Sequence, residues 1–297
     1  MLSVCIPIYN FDVRPLVTEL ALQIEKLGVP SEIVLIDDCS TQEFQQLNEE
    51  ICSLHTYHKL SANVGRSKIR NLFLNYAKYD YLLFLDCDAT IISSHLLQRY
   101  IDTIEAKEFQ VYCGGSIYPK EKPSRAYRLR WKNGNVRETI PADVRNKKPY
   151  SSFMTSNVLI KREVFDSIRF DESIVKYGHE DTLFGLQLKK KKIPICHINN
   201  SVLNDDLDSN IDFLNKTADA LVNLATITRS LNDDKDLIDG IKILQFYFFL
   251  KRNKLLPVLD FVFFVTQNLT KWSLCNIFQN LYLFDYYKIG VLSKAFK

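Results

Sequence analysis

At 297 residues, with 46% apolar and 25% charged side chains, the chain has ordinary globular composition and can bury a full core in one large domain or a domain with an appendage. Its 38 basic and 35 acidic residues leave a formal net charge of +3, far from the lopsided basic footprint of a nucleic-acid binder, so nucleic acid is not an expected partner. Seven cysteines without a CxxC pair read as reduced thiols of a cytoplasmic protein, MLSVCIPIYN carries no signal-peptide pattern, and no apolar run approaches the roughly 18 residues of a membrane span.

Leu2 to Ile6 is expected as a first strand, stopped by Pro7 and the turn formers Tyr9, Asn10, Phe11 and Asp12. Val17, Leu20, Ala21, Ile24 and Leu27 recur at helical spacing between Val13 and Leu27, with Gly28 and Pro30 as the stop. Glu32 to Ile36 is a second strand. It runs into Asp37-Asp38-Cys39-Ser40-Thr41, where Ser40 or Thr41 can cap a helix that continues through Ile51. Leu60 to Asn71 (LSANVGRSKIRN) puts Gly65 at the start of a helix running to Tyr76. Backbone amides at that start, with Arg66, Lys68 and Arg70, favour an anion such as a diphosphate.

Tyr81 to Leu85 is a short apolar run of the kind found in strands covered on both faces of a parallel sheet, and ligands of such sheets sit at the carboxyl ends of the strands. Asp86 and Asp88 fall at that end. Two hard anionic oxygens one residue apart can share a divalent cation with a diphosphate; taken alone, Asp-Cys-Asp fits an Asp-rich turn before a helix equally well. Strands and helices alternate through residue 105, which implies an α/β fold with a doubly wound, mostly parallel sheet. Neither GxGxxG nor GxxxxGK[ST] occurs.

Gln110 to Tyr118 is expected as a strand in which Gly114 and Gly115 allow close approach of a ligand or of another backbone. Pro119 to Tyr150 is basic and proline-broken, either a functional lid or irregular surface. Ser156 to Ile160 is a further strand, and Lys161 to Phe165 opens a short helix. In Tyr177 to Leu188 (YGHEDTLFGLQL), Glu180 and Asp181 sit in the first turn of a helix, where carboxylates are also ordinary dipole partners; His179 reads as structural. Phe213 to Leu231 is one amphipathic helix. Residues 240 to 297 are helical, crowded with aromatics, and carry eight Lys or Arg against two Asp. Such a tail either lies on an anionic membrane surface or packs on the catalytic domain or a second subunit.

SVCIPIYN, EIVLIDDCST, NVGRSKIRN, FLDCDAT and GHEDTLFGLQL, in this order and at these separations, resemble the family-two glycosyltransferases of GT-A fold over roughly residues 2 to 200. The resemblance implies a GT-A nucleotide-sugar-binding and catalytic domain at 1–205 with a helical extension at 206–297. By that likeness Pro7, Tyr9, Asn10 and Asp38 form the base pocket, Tyr9 stacking and Asp38 accepting a base N–H. Gly65 and Arg70 serve the base and diphosphate, Gly115 lines the substrate site, and Asp86 and Asp88 are the Asp-x-Asp motif, with Asp88 on Mn²⁺ or Mg²⁺. Glu180 and Asp181 resemble the family's Glu-Asp pair, Asp181 being the general base of an inverting transfer. Where family members often carry a histidine, a possible third metal ligand, this chain has Asn204; His197 nearby reads as packing. The implied activity is sugar transfer from a nucleotide-sugar, by likeness a UDP-sugar, to a glycan or lipid-linked acceptor in cell-surface polysaccharide synthesis; the membrane-surface alternative for the aromatic, basic tail would put this cytoplasmic enzyme peripherally on the inner membrane face. The rival functions are a nucleotidyltransferase, which would need a glycine-rich basic loop that IPIYNFDV lacks, and a non-catalytic nucleotide-sugar-binding module, which would have lost an acid.

Overall fold

The computed structural model describes residues 1–174 and 178–297. The chain divides into two compact units, the first holding Met1–Tyr118, a segment from Thr139 onward and Glu180–Asp205, the second holding Pro119–Glu138 and Asp206–Lys297.

In the first unit the strands are β1 (Leu2–Ile8), β2 (Ser31–Asp37), β3 (Thr56–Lys59), β4 (Tyr81–Leu85), β5 (Ala89–Thr90), β6 (Val111–Cys113), β7 (Ser116–Ile117), β8 (Asn157–Lys161), β9 (Ile195–His197) and β10 (Val202–Asn204). Seven form one mostly parallel sheet in the order β3-β2-β1-β4-β8-β6-β9, and β5-β10-β7 form a small second sheet. Successive side chains of a strand point to opposite faces, and here both faces are covered. Leu2, Val4 and Ile6 join Val17, Leu20 and Leu97 on one side. Cys5, Val34, Ile36 and Phe84 join Phe73, Phe165 and Phe184 on the other. Burial on this scale, at about 1.5–3 kcal/mol for each large apolar side chain, is what holds the strand ends in place.

Two features differ from the expected pattern. β1 continues past Pro7 to Ile8, because β4 pairs only with Leu2–Cys5. At Pro7 only the β2 side is paired, so a missing N–H is tolerated. β8 runs antiparallel to both β4 and β6, which inserts one reversed strand into the parallel sheet.

The second unit is built from the helices Asn210–Ser230, Lys235–Gly240, Lys242–Arg252, Leu256–Asn276 and Leu281–Ala295. Ser209 caps the first of these by accepting the Asp212 amide on Oγ at 3.2 Å. Pro119–Glu138, which the sequence leaves open as a lid or as surface of the 1–205 domain, groups with these helices. Leu129, fully buried, packs with Leu214, Phe263 and Phe284. Asn210 fixes the segment from three sides: Oδ1 accepts the Leu129 amide at 2.9 Å, and Nδ2 donates to the Arg125 and Cys275 carbonyls at 2.8 and 2.9 Å. Among the described residues, no helix is long and apolar enough to cross a membrane.

Candidate active site

The carboxyl ends of β1 and β2 are tied into one rim. Asp37 Oδ1 accepts the Ser40 amide at 2.7 Å, and Ser40 Oγ in turn accepts the Asn10 amide at 2.9 Å. Asn10 adopts a left-handed φ of 49° and accepts the Thr41 amide on Oδ1 at 2.8 Å. Its side chain is therefore a stitch between the two turns. Asp38 donates its amide to the Ile8 carbonyl at 2.8 Å and accepts the amides of Val64 and Gly65, at 2.7 and 3.1 Å, one on each carboxylate oxygen. Three segments thus converge on one buried acid. Burial pushes the Asp38 carboxyl above its ordinary range despite the two amides that stabilise its charge. Gly65 caps the helix Arg66–Tyr76 with φ +82°, a conformation that strains any residue with a Cβ. Pro7 is half-buried in β1, and Tyr9 leaves 53% of its surface open beside it.

Asp86 closes the end of β4 and receives two cations. Arg70, 2% exposed, donates from Nη2 to Asp86 Oδ1 at 2.7 Å and from Nη1 to the Arg66 carbonyl at 3.1 Å. Its Nε has no hydrogen-bond partner among the described residues. Arg66 reaches Asp86 at 3.6 Å and donates from Nε to Glu180 Oε1 at 2.6 Å, while Arg70 lies 3.9 Å from the same Glu180 oxygen. The cations read from the sequence as diphosphate ligands are thus shared between two carboxylates that are far apart in the chain. This network places the start of the helix Glu180–Lys190 beside the end of β4. Tyr177, which opens that acidic stretch, lies outside the described residues; His179 has φ 70°.

Glu180 and Asp181 are neighbours with opposite electrostatics. Burial alone would raise the Glu180 carboxyl, but the Arg66 and Arg70 guanidiniums overcome it and hold the group below the usual carboxylate range. Asp181 is pushed up to about 6 by burial first and the Glu180 charge second. Its Oδ1 accepts the Thr182 amide at 2.6 Å and the Thr182 hydroxyl at 3.3 Å, and no ion pair among the described residues engages it. One carboxylate is locked; the other is poised near neutrality.

Asp88 is half-buried in the turn between β4 and β5. The register sets Asn204 opposite Ala89, one residue away, and Thr90 Oγ1 donates to Asp205 at 2.8 Å, so the 204–205 segment borders this turn. Among the described residues no group of three or more His, Cys, Asp or Glu is arranged to hold a metal. The oxygen donors present, Asp88 and the arginine-shared Asp86, suit a hard cation whose remaining positions are filled by phosphate oxygens. His197 is not aimed at the turn. It is 2% exposed, and because a guanidinium only donates, Nδ1 must accept from Arg145 Nη1 (2.8 Å), which leaves the ring proton on Nε2 for the Pro149 carbonyl (2.9 Å). Burial lowers this imidazole to about 4.

Gly115, with φ +87°, has its open side taken by this same Arg145: a Cβ there would stand 2.7 Å from the guanidinium. Arg145, 2% exposed, also donates to the Ile140, Cys113, Gly114 and Ile198 carbonyls, at 2.9–3.1 Å. It was indistinguishable in sequence from the other basic residues of 119–150. All seven cysteines are free thiols, and burial, aided by Asp88 and Asp86, pushes Cys87 between the two acids up to about 12.

Acids and a helix start are gathered at the carboxyl edge of a mostly parallel sheet, the edge at which open α/β sheets bind ligands. The glycosyl transferase family 2 profile matches residues 3–169, and the chain belongs to that family. The chondroitin synthase of Pasteurella multocida (strain Pm70) is 26% identical over 222 residues, covering 64% of this chain but only 23% of that protein. The mannosyltransferase PcManGT of Pyrobaculum calidifontis, solved with GDP-Man and Mn²⁺, is similar with a TM-score of 0.60 at 15% identity, covering 99% of this chain and 85% of that one. S. aureus TarS 1-349 in complex with UDP-GlcNAc aligns with a TM-score of 0.51 at 17% identity, covering 99% and 90%. These likenesses establish a GT-A glycosyltransferase fold.

Proposed function

We propose that the chain is an inverting glycosyltransferase that moves a sugar from a UDP-sugar to a hydroxyl of a glycan or lipid-linked acceptor in cell-surface polysaccharide synthesis. The observation that carries this reading is the contrast between Glu180 and Asp181. A hydroxyl is a poor nucleophile, and a carboxylate with a pKa near the working pH is the group suited to take its proton as the new bond forms. Asp181, raised to about 6, meets that requirement. Glu180, held ionised by Arg66 and Arg70, orients the helix start instead. A single displacement assisted by a base forms no covalent enzyme intermediate, so the anomeric centre inverts.

On the donor side, the exposed Tyr9 ring offers a stacking face, and the carboxylate oxygens of Asp38 each keep a lone pair beyond the amide they accept, enough for a base N–H. Arg70 and Gly65 border the diphosphate side. Asp88, with Asp86, would hold Mn²⁺ or Mg²⁺ together with the donor diphosphate; when bound, that cation neutralises charge on the leaving group. The UDP reading follows the UDP-GlcNAc bound by TarS 1-349. Thermal-shift titration with UDP- and GDP-sugars, with and without Mn²⁺, tests the reading. UDP-sugars should stabilise the protein most, with an increment from Mn²⁺ that Asp88→Ala removes. Stabilisation by no nucleotide-sugar at all would overturn it.

A further inference from the structure

The second unit carries an uncovered apolar face. Along the helix Leu256–Asn276, Val258, Phe261, Val262, Val265, Leu269 and Trp272 are exposed, Phe261 by 69% and Leu269 by 65%. Their spacings of three and four residues put them on one side of the helix, a stripe of about 21 Å at 1.5 Å per residue. The opposite side, with Phe263, Thr270 and Leu274, is buried in the unit. No Asp, Glu, Lys or Arg interrupts the stripe, since the charged residues of this helix are Asp260, paired with Lys297, and Lys271, bonded to Asn215. Patches of this size and continuity mark a surface that is covered in use.

Both ends of the stripe are basic. Lys251, Arg252 and Lys254 precede it, all exposed. Past its other end, Ile277 and the 65% exposed Phe278 border a cavity of about 430 Å³ that is also lined by Lys122, Arg128, Trp131 and Lys132. Among the described residues, none of Lys122, Arg128, Lys132, Arg252 or Lys254 forms an ion pair with a carboxylate. Pro119–Glu138 as a whole has seven Lys or Arg against two Glu.

We infer that this face docks on an anionic lipid surface, the stripe entering the headgroup boundary and the basic ends meeting lipid phosphates. The charge pattern selects this occupant. A second copy of the chain seated stripe on stripe would bring the same patch to both sides, and in either direction basic ends would meet basic ends. An anionic bilayer satisfies the exposed aromatics and the cations together, which is the pattern of helices that lie in the interface rather than span it.

Flotation of the full chain with vesicles tests this. The protein should rise with vesicles of phosphatidylcholine containing 30% phosphatidylglycerol and stay down with phosphatidylcholine alone. Phe261→Asp with Leu269→Asp should abolish flotation, and Lys122→Ala with Lys132→Ala should weaken it, by roughly five-fold for each cation removed. All four side chains are on the surface, and unchanged circular-dichroism melting shows that the fold is intact. Equal flotation with both vesicles, or with neither, overturns the inference. So does a dimer in analytical ultracentrifugation that the Phe261→Asp, Leu269→Asp variant converts to monomer without loss of vesicle binding.

Discussion

Basic residues are handled in opposite ways at the strand ends of the first unit and in the Pro119–Glu138 segment of the second, which lines a cavity with Ile277 and Phe278. Arg70 and Arg145 are each 2% exposed, and both find partners inside the fold, Arg70 in Asp86 and the Arg66 carbonyl, Arg145 in four carbonyls and a neutral imidazole. Lys122, Arg128 and Lys132 line an open cavity and have no carboxylate partner among the described residues. A desolvated cation must find its partners inside the fold, so it fixes geometry; a solvated one keeps its charge available for something outside. The strand-end network accordingly positions acids, whereas the Pro119–Glu138 segment offers recognition.

The largest effect that would sharpen this contrast is at Asp181, an acid beside Glu180 that no ion pair holds among the described residues. Asp181→Asn keeps size and hydrogen bonding but removes the base, so turnover should fall by about two to four orders of magnitude while UDP-sugar affinity survives. Chemistry-limited turnover near wild type would move the base elsewhere. In the wild type, the base must be ionised to work, so the rate should decline as pH falls through about 6, tenfold per unit below that point, and this limb should vanish in Asp181→Asn.

Breaking the network itself comes next. Arg70→Met leaves Asp86 and Glu180 short of a buried counter-charge, a loss on the order of 3–5 kcal/mol in urea unfolding. An unchanged unfolding midpoint would mean that Arg66, 43% exposed, carries the charge balance alone. Asp38→Ala removes the acceptor of two amides at the start of the helix Arg66–Tyr76, and UDP affinity measured by calorimetry should drop roughly 10- to 100-fold, the span of a lost charge-assisted pair of bonds. Unaltered affinity in a folded variant would detach Asp38 from the base pocket.

What could be read in advance follows from the range of each interaction. Apolar runs ending in Asp37-Asp38 and Asp86-Cys87-Asp88 announce strands delivering acid to a sheet edge, because alternation and termination are local properties. The Arg66–Glu180 pair spans 114 residues of sequence, so nothing local distinguishes a cation destined for a carboxylate from one awaiting a diphosphate. β5 and β7, two residues each, and the reversed β8 are defined by partners rather than by pattern. Pro7 reads as a stop because the rule it obeys assumes pairing on both sides, which β4 does not provide there. Arg145 lies among nine other basic residues of 119–150 of the same appearance, and only its carbonyl cage sets it apart.

The smallest expected effect separates Glu180 from Asp181 by stability alone. Glu180 has a native pKa below its unfolded value, so it contributes stability that is present above the unfolded value of about 4.3 and is lost as pH falls through the depressed native one. Asp181 has the reverse sign. With a native pKa of about 6 against an unfolded value of about 3.9, it binds its proton more tightly when folded, so stability declines as pH rises between those values and stays lowered above them. An amide at 181 has no charge to bury. Asp181→Asn should therefore melt a few degrees above wild type at pH 8, about 1–2 kcal/mol after allowance for partial solvent contact, and the difference should shrink towards zero by pH 4. A melting difference that is the same at pH 4 and pH 8 would show that the gain comes from hydrogen bonding to Thr182 rather than from the charge. Asp181 would then have no raised pKa to bring to proton transfer, and the electrostatic contrast with Glu180 would be gone.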